Sequence, residues 1–128
     1  MNNHLYEDIL MDHWKFPRNY GTIASPDIAI EELNPLCGDK INLTITLLNS
    51  TVSELLFTSF SCVIAKAASS ILFESVKGKQ IEEIKKISQD SFLALLPANL
   101  ISGRLQCALL PYKAIQRGIK IYESRASK

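Results

Sequence analysis

Cysteine is scarce in this chain, and so are glycine and proline: three Cys, five Gly and five Pro in 128 residues. A cysteine count that is small and odd argues against a secreted disulfide scaffold, which carries its cysteines in pairs. Free thiols or thiolate ligands in a reducing compartment follow, and a cytoplasmic location is expected. Few Gly and Pro, with 47% hydrophobic and 21% charged residues, describe a globular chain and not a disordered one. No apolar run approaches the roughly 18–20 residues of a membrane span, so no membrane role is expected. Neither charge dominates. Fourteen basic residues stand against thirteen acidic ones, with no massed run, so charge gives a nucleic-acid role no support. The opening residues, Met1 to Asp8, are polar and acidic, unlike a signal or transit peptide. Repeats, low-complexity stretches and linkers are missing too, so residues 1–128 are expected to form a single domain with a real core.

What is present is periodic. Leu5, Ile9 and Trp14, with Tyr6 and His13, have helical spacing over residues 3–14, and Pro17 ends that helix. Residues 28–33 form a short strand candidate. Ile41, Leu43, Ile45 and Leu47 alternate with Asn42, Thr44 and Thr46, as in a strand with one buried face. A turn at Asn49-Ser50-Thr51 and a β-rich run over 52–60 complete an antiparallel hairpin. The chain then turns helical, with Ser61 the expected N-cap and Gly78 the stop. Two short helices are expected at 80–87 and 88–96. A last long helix begins near 103–111, with Leu109, Tyr112, Ile115, Ile119 and Tyr122 on one side. Pro111 suits only its first turn, and a start before 107 predicts a break or kink there. Strands and helices are segregated. The expected fold is α+β: a three-stranded antiparallel sheet with helices on one face, an N-terminal helix and a long C-terminal helix.

The three cysteines stand in three separate contexts. Cys37 lies in Asn34-Pro35-Leu36-Cys37-Gly38-Asp39, Cys62 follows Ser59-Phe60-Ser61, and Cys107 lies in Arg104-Leu105-Gln106-Cys107-Ala108-Leu109. Three thiols and Asp39 make a set of four ligands suited to zinc or to the iron of a small iron–sulfur cluster. Cys62 and Cys107 fall near expected helix starts, where the dipole favours the thiolate. The spacing is not a compact CxxC pair, and a buried cysteine also serves as a small apolar side chain. Spacing leaves both readings open. His13, beside Asp12 and Trp14, is expected to be structural, and His4 solvated. The Ala/Ser-rich stretch 65–70 is expected to serve close helix packing.

Four blocks in order resemble one family along nearly the whole chain. They are Leu5 to Trp14 with Pro17-Arg18-Asn19 and Gly21, the Asn34 to Asp39 loop, Cys62 to Ser70, and Arg104 to Ala114. The sequence resembles the NifU N-terminal/IscU/SufU family of iron–sulfur cluster assembly scaffold proteins. The resemblance implies a three-stranded antiparallel sheet with packed helices. It implies ligands at Cys37, Asp39, Cys62 and Cys107, with Asp39 the weak one that suits release of cargo. It implies sulfane sulfur received as persulfide from a cysteine desulfurase, with Cys37 and Cys107 the candidate acceptors. In the scaffold branch that sulfur joins iron in a transient 2Fe-2S cluster, which passes to recipient proteins; an iron donor is a further implied partner.

The chain departs from the family pattern in four ways. Gln106 stands where the Isc branch has a His, and a carboxamide is a much poorer ligand. Leu100 to Arg104 replaces that branch's chaperone-recruiting segment, so docking to an Isc-type Hsp70 chaperone is not implied. The opening helix and the Cys107 block look more like SufU, whose usual insertion between the second and third cysteines is missing. Ser59-Phe60-Ser61 replaces glycines, which predicts a stiffer loop before Cys62. Three readings follow: a cluster scaffold, a SufU-like zinc-dependent sulfur acceptor that activates a desulfurase, and an interaction protein that lost its cargo. Retention of all four ligand candidates argues against the third.

Overall fold

The computed structural model describes residues 3–35, 38–96 and 103–126. The elements run α1 (Asn3–Lys15), β1 (Ile28–Asn34), β2 (Asp39–Leu48), β3 (Thr51–Phe60), α2 (Val63–Val76), α3 (Ile81–Lys85), α4 (Gln89–Leu93) and α5 (Leu105–Ala126). The strands form one antiparallel sheet in the order β1-β2-β3. The fold is α+β, as the segregated pattern predicts.

The alternation along β2 decides which face is covered. Ile41, Leu43 and Ile45 are fully buried and meet Leu72, Phe73, Ala114, Ile115 and Ile119 of α2 and α5. Asn49 and Ser50 both take positive φ in the β2–β3 connection, the backbone that matches strand twist in a two-residue hairpin. Thr44 points away from the helices yet is buried, because the chain before β1 crosses that face. Its hydroxyl accepts the Ile23 N–H and donates to the Leu56 carbonyl, both at 3.1 Å.

α2 has small side chains where it is most enclosed: Ala65, Ala67, Ala68, Ser69 and Ser70 are all buried, which lets α1 and α5 approach closely. α5 lies against β1 at Gly118, where an added Cβ would sit 3.1 Å from Cγ2 of Ile28. Arg117 locks that contact, donating from Nε to Glu32 Oε1 at 2.7 Å and from an η nitrogen to the Glu31 carbonyl at 2.6 Å.

Three local expectations are corrected. On α1 the buried residue among the described side chains is Leu10, at 2% exposure, and Ile9 is exposed, so Leu10 takes the place of Ile9 on the covered stripe, with His13 and Trp14 half-buried as expected; Leu5 and Tyr6 fall outside the described side chains. The N-cap of α2 is Cys62, not Ser61, whose hydroxyl reaches only the Cys62 carbonyl at 3.4 Å. α5 begins before Cys107 and continues through Pro111 without a break. Pro111 has no N–H to offer the Cys107 carbonyl. Its burial, with that of Cys107 to Leu110 on the preceding turn, holds the helix together despite that missing bond.

Candidate metal centre

The centre is assembled by three junctions. Asp39 is the first residue of β2 and pairs with Asn34, so it belongs to the sheet and not to the loop. The turn before it closes through the Gly38 N–H, which donates to the Asn34 carbonyl at 2.8 Å, with Gly38 at φ 75°, where a side chain would be strained. Cys62 stands between β3 and α2, in extended backbone. Cys107 is in the first turn of α5. β2 and β3 are paired from Lys40–Phe60 onward, which fixes Asp39 beside the segment that leads into Cys62.

One ligand atom from each of Asp39, Cys62 and Cys107 lies within 4.8 Å of the other two. Asp39 is 5% exposed and Cys107 8%, while Cys62 is half-buried. The Cys62 N–H donates to Asp39 Oδ1 at 3.2 Å. Asp39 Oδ2 is buried and has no hydrogen-bond partner among the described residues. Ser59 Oγ is the other buried side-chain oxygen in that condition. The first turns of α2 and α5 bring the partial positive ends of two helices to the same place.

These residues fit a thiophilic metal. A carboxylate that is buried with one oxygen unsatisfied is costly unless something else takes that lone pair. Tetrahedral bonds of about 2.0–2.3 Å separate donor atoms by about 3.3–3.8 Å, so the observed cluster needs only a small contraction around an ion. Cys37, the fourth expected ligand, lies outside the described residues.

Gln106 is exposed and turned to another use, with its Oε1 accepting from Lys113 Nζ at 2.9 Å. Both line a cleft of about 230 Å³ between the end of β1 and α5, together with Asn34, Pro35 and Leu110. Arg104 is exposed, and its carbonyl accepts the Ala108 N–H. His13 is hydrogen-bonded to Ser70 across the α1–α2 contact, with Nδ1 2.7 Å from Oγ. Sequence reasoning took Ser59 only as part of the Ser59-Phe60-Ser61 run that replaces glycines and gave its hydroxyl no role; the period-2 pattern of β3, by placing it on the covered face, was the available signal.

Residues 5–128 match the NifU-like N terminal domain. The chain belongs to that family. It is 33% identical over 132 residues to the zinc-dependent sulfurtransferase SufU of Bacillus subtilis, covering 90% of this chain and 89% of that protein. It is 34% identical over 124 residues to the iron–sulfur cluster assembly scaffold protein IscU 1 of Archaeoglobus fulgidus, covering 97% and 80%. Its fold matches the crystal structure of a nitrogen-fixing NifU-like protein (N-terminal) from Brucella abortus, with TM-score 0.80 at 16% identity over 96% of this chain and 97% of that one. As a NifU-like domain the chain therefore has relatives of comparable identity in both the scaffold and the zinc-dependent branch, the two kinds that its mixed motifs suggest.

Proposed function

We propose that this NifU-like domain is an iron–sulfur cluster assembly scaffold that receives sulfur from a cysteine desulfurase and builds a transient 2Fe-2S cluster for recipient proteins. The observation that carries the reading is the convergence of Asp39, Cys62 and Cys107, with Asp39 Oδ2 buried and unsatisfied. Cys37, two residues before Asp39, is the fourth proposed ligand. In sulfur transfer, a thiolate of Cys37 or Cys107 attacks the outer sulfur of the donor's persulfide. A new S–S bond forms as the donor's S–S bond breaks, and the donor leaves as thiolate, with no net oxidation. Conversion of that sulfur to sulfide takes two electrons from an external reductant. Ferrous iron and sulfide are then cargo on the thiolates, and the single oxygen ligand is the weak point from which cargo is released. An iron donor and cluster-recipient proteins are the further partners of this reading.

The likeness to the zinc-dependent Bacillus protein favours a second reading, a zinc-bound sulfur acceptor that activates a desulfurase. The same four residues would hold Zn²⁺, which would supply stabilised thiolates and a closed structural centre.

Anaerobic incubation with a cysteine desulfurase, cysteine and ferrous iron separates the two. The scaffold reading predicts a sulfide-containing iron chromophore, lost in Cys62→Ser. Persulfide on a cysteine with zinc retained, faster desulfurase turnover and no chromophore would overturn it in favour of the second.

A further inference from the structure

Two buried side-chain oxygens lack a hydrogen-bond partner among the described residues: Oδ2 of Asp39 and Oγ of Ser59. Such groups are rare in folded proteins and costly where they occur. Asp39 belongs to the candidate centre. Ser59 has no assigned role, yet it stands next to that centre. It pairs with Ile41, which puts Asp39 diagonally across the β2–β3 ladder, about 7–8 Å away along the backbone and less between side chains. Alternation along β3 places Ser59 on the same face as Leu55 and Phe57, both fully buried under the helices. Cys62 follows three residues later, and its sulfur is within 4.8 Å of the Asp39 carboxylate.

The backbone of Ser59 is held in place. The Tyr20 hydroxyl accepts the Ser59 N–H at 3.2 Å and lies 3.3 Å from the Ser59 carbonyl, to which it donates. The strand is therefore not arranged to turn the serine hydroxyl out to water. Two unsatisfied oxygens on diagonal residues at one end of the sheet have a common explanation if their partners arrive with what the centre binds. Among the described residues the carboxylate oxygen meets no donor and the hydroxyl, itself a donor, meets no acceptor; a thiolate sulfur in a loaded centre is an electron-rich acceptor.

We propose that Ser59 is a positioning residue for the Asp39–Cys62–Cys107 centre, its hydroxyl donating a hydrogen bond to the Cys62 sulfur once the centre is loaded. This deepens the preceding reading and rests on it for the centre's being a metal or cluster site. A hydrogen bond to a ligating sulfur fixes the ligand's orientation and draws electron density from the metal–sulfur bond. Ser59 thereby tunes how tightly cargo is held, from a position the ligand motif does not include.

The test uses Co²⁺ alone as the probe, on wild type, Ser59→Ala and Ser59→Thr, following the sulfur-to-cobalt charge-transfer band and the thermal unfolding of each empty protein. Empty Ser59→Ala is expected to unfold at the same or a higher temperature than wild type, since it sheds an unsatisfied buried hydroxyl. It is expected to bind Co²⁺ roughly tenfold or more weakly, on the scale seen when an outer hydrogen-bond partner is removed, with a displaced charge-transfer band. Ser59→Thr is expected to restore affinity and band. Unchanged affinity and band in Ser59→Ala would overturn the proposal, as would a lowered unfolding temperature of the empty variant, which marks a structural hydroxyl. Wild type that binds no Co²⁺ would overturn the metal centre itself, an outcome distinct from wild type and Ser59→Ala binding alike.

Discussion

Asp39 is 5% exposed, and of its two carboxylate oxygens one accepts the Cys62 amide and the other accepts nothing among the described residues. Replacement by Asn keeps the shape and an acceptor for the Cys62 N–H but removes the charge. The empty protein gains or holds stability, because an uncompensated buried charge is what the fold tolerates worst. Metal affinity falls, by more than the roughly 10–100-fold that follows loss of an outer hydrogen-bond partner. Chelator competition for zinc, set beside a thermal melt of the empty Asp39→Asn protein, checks both. Unaltered affinity with a destabilised fold would make Asp39 a structural carboxylate. At this scale the sequence was informative about residue type and poor about environment. The Cys37–Gly38–Asp39 motif named the carboxylate, but nothing in it indicated that Asp39 begins a strand and is buried. Ser59 could be read only as a replacement for glycine, because an unsatisfied hydroxyl is a property of its surroundings.

The elements were more legible, for a physical reason: their periodicity is imposed by burial on one face. β2 could be read from Ile41, Leu43 and Ile45 alone. α5 was legible except at its start, where Pro111 suggested a first turn; tertiary burial overrode that local preference. α1 was misread at Ile9 because Ile9, Leu10 and Met11 are consecutive apolar residues that mark no single stripe, and its packing is partly polar. It docks on α2 through Ser70, whose Oγ accepts the Arg18 N–H at 2.9 Å and meets His13 Nδ1 at 2.7 Å. A neutral His13 meets that hydroxyl in either tautomer, accepting its proton at Nδ1 or donating an Nδ1–H to its second lone pair. Burial first, and then the Arg18 charge, hold the His13 pKa below its ordinary 6.5, while Asp12 and Glu74 pull the other way. The sign follows. Above about pH 6.5 His13 is neutral in folded and unfolded chains alike, and the docking contributes fully. As pH falls below that and through the lowered folded value, the unfolded chain takes up the proton first and stability is lost. Urea midpoints should therefore drop more steeply between pH 7 and pH 5 in wild type than in His13→Gln. Parallel slopes would remove His13 from the account.

Taken as a whole, the molecule brings three distant segments to one end of a small sheet. Antiparallel pairing carries Asp39 to the segment before Cys62, and α5, locked to β1 by Gly118 and Arg117, delivers Cys107. Convergence of this kind arises from topology, so residue spacing could not show it; the four ordered blocks pointed to it through resemblance, and the fold brings together Asp39, Cys62 and Cys107, three of the four candidate ligands. The family is shared with both cluster scaffolds and a zinc-dependent sulfurtransferase, and the two readings have a centre in common. That centre is the claim on which the rest depends. X-ray absorption at the zinc edge of the stoichiometrically loaded protein tests it most directly. The account predicts three sulfur neighbours at about 2.3 Å and one oxygen at about 2.0–2.2 Å, with sulfur lost in Cys62→Ser and in Cys107→Ser; a shell of nitrogen and oxygen alone, or a sulfur count indifferent to both substitutions, would contradict it.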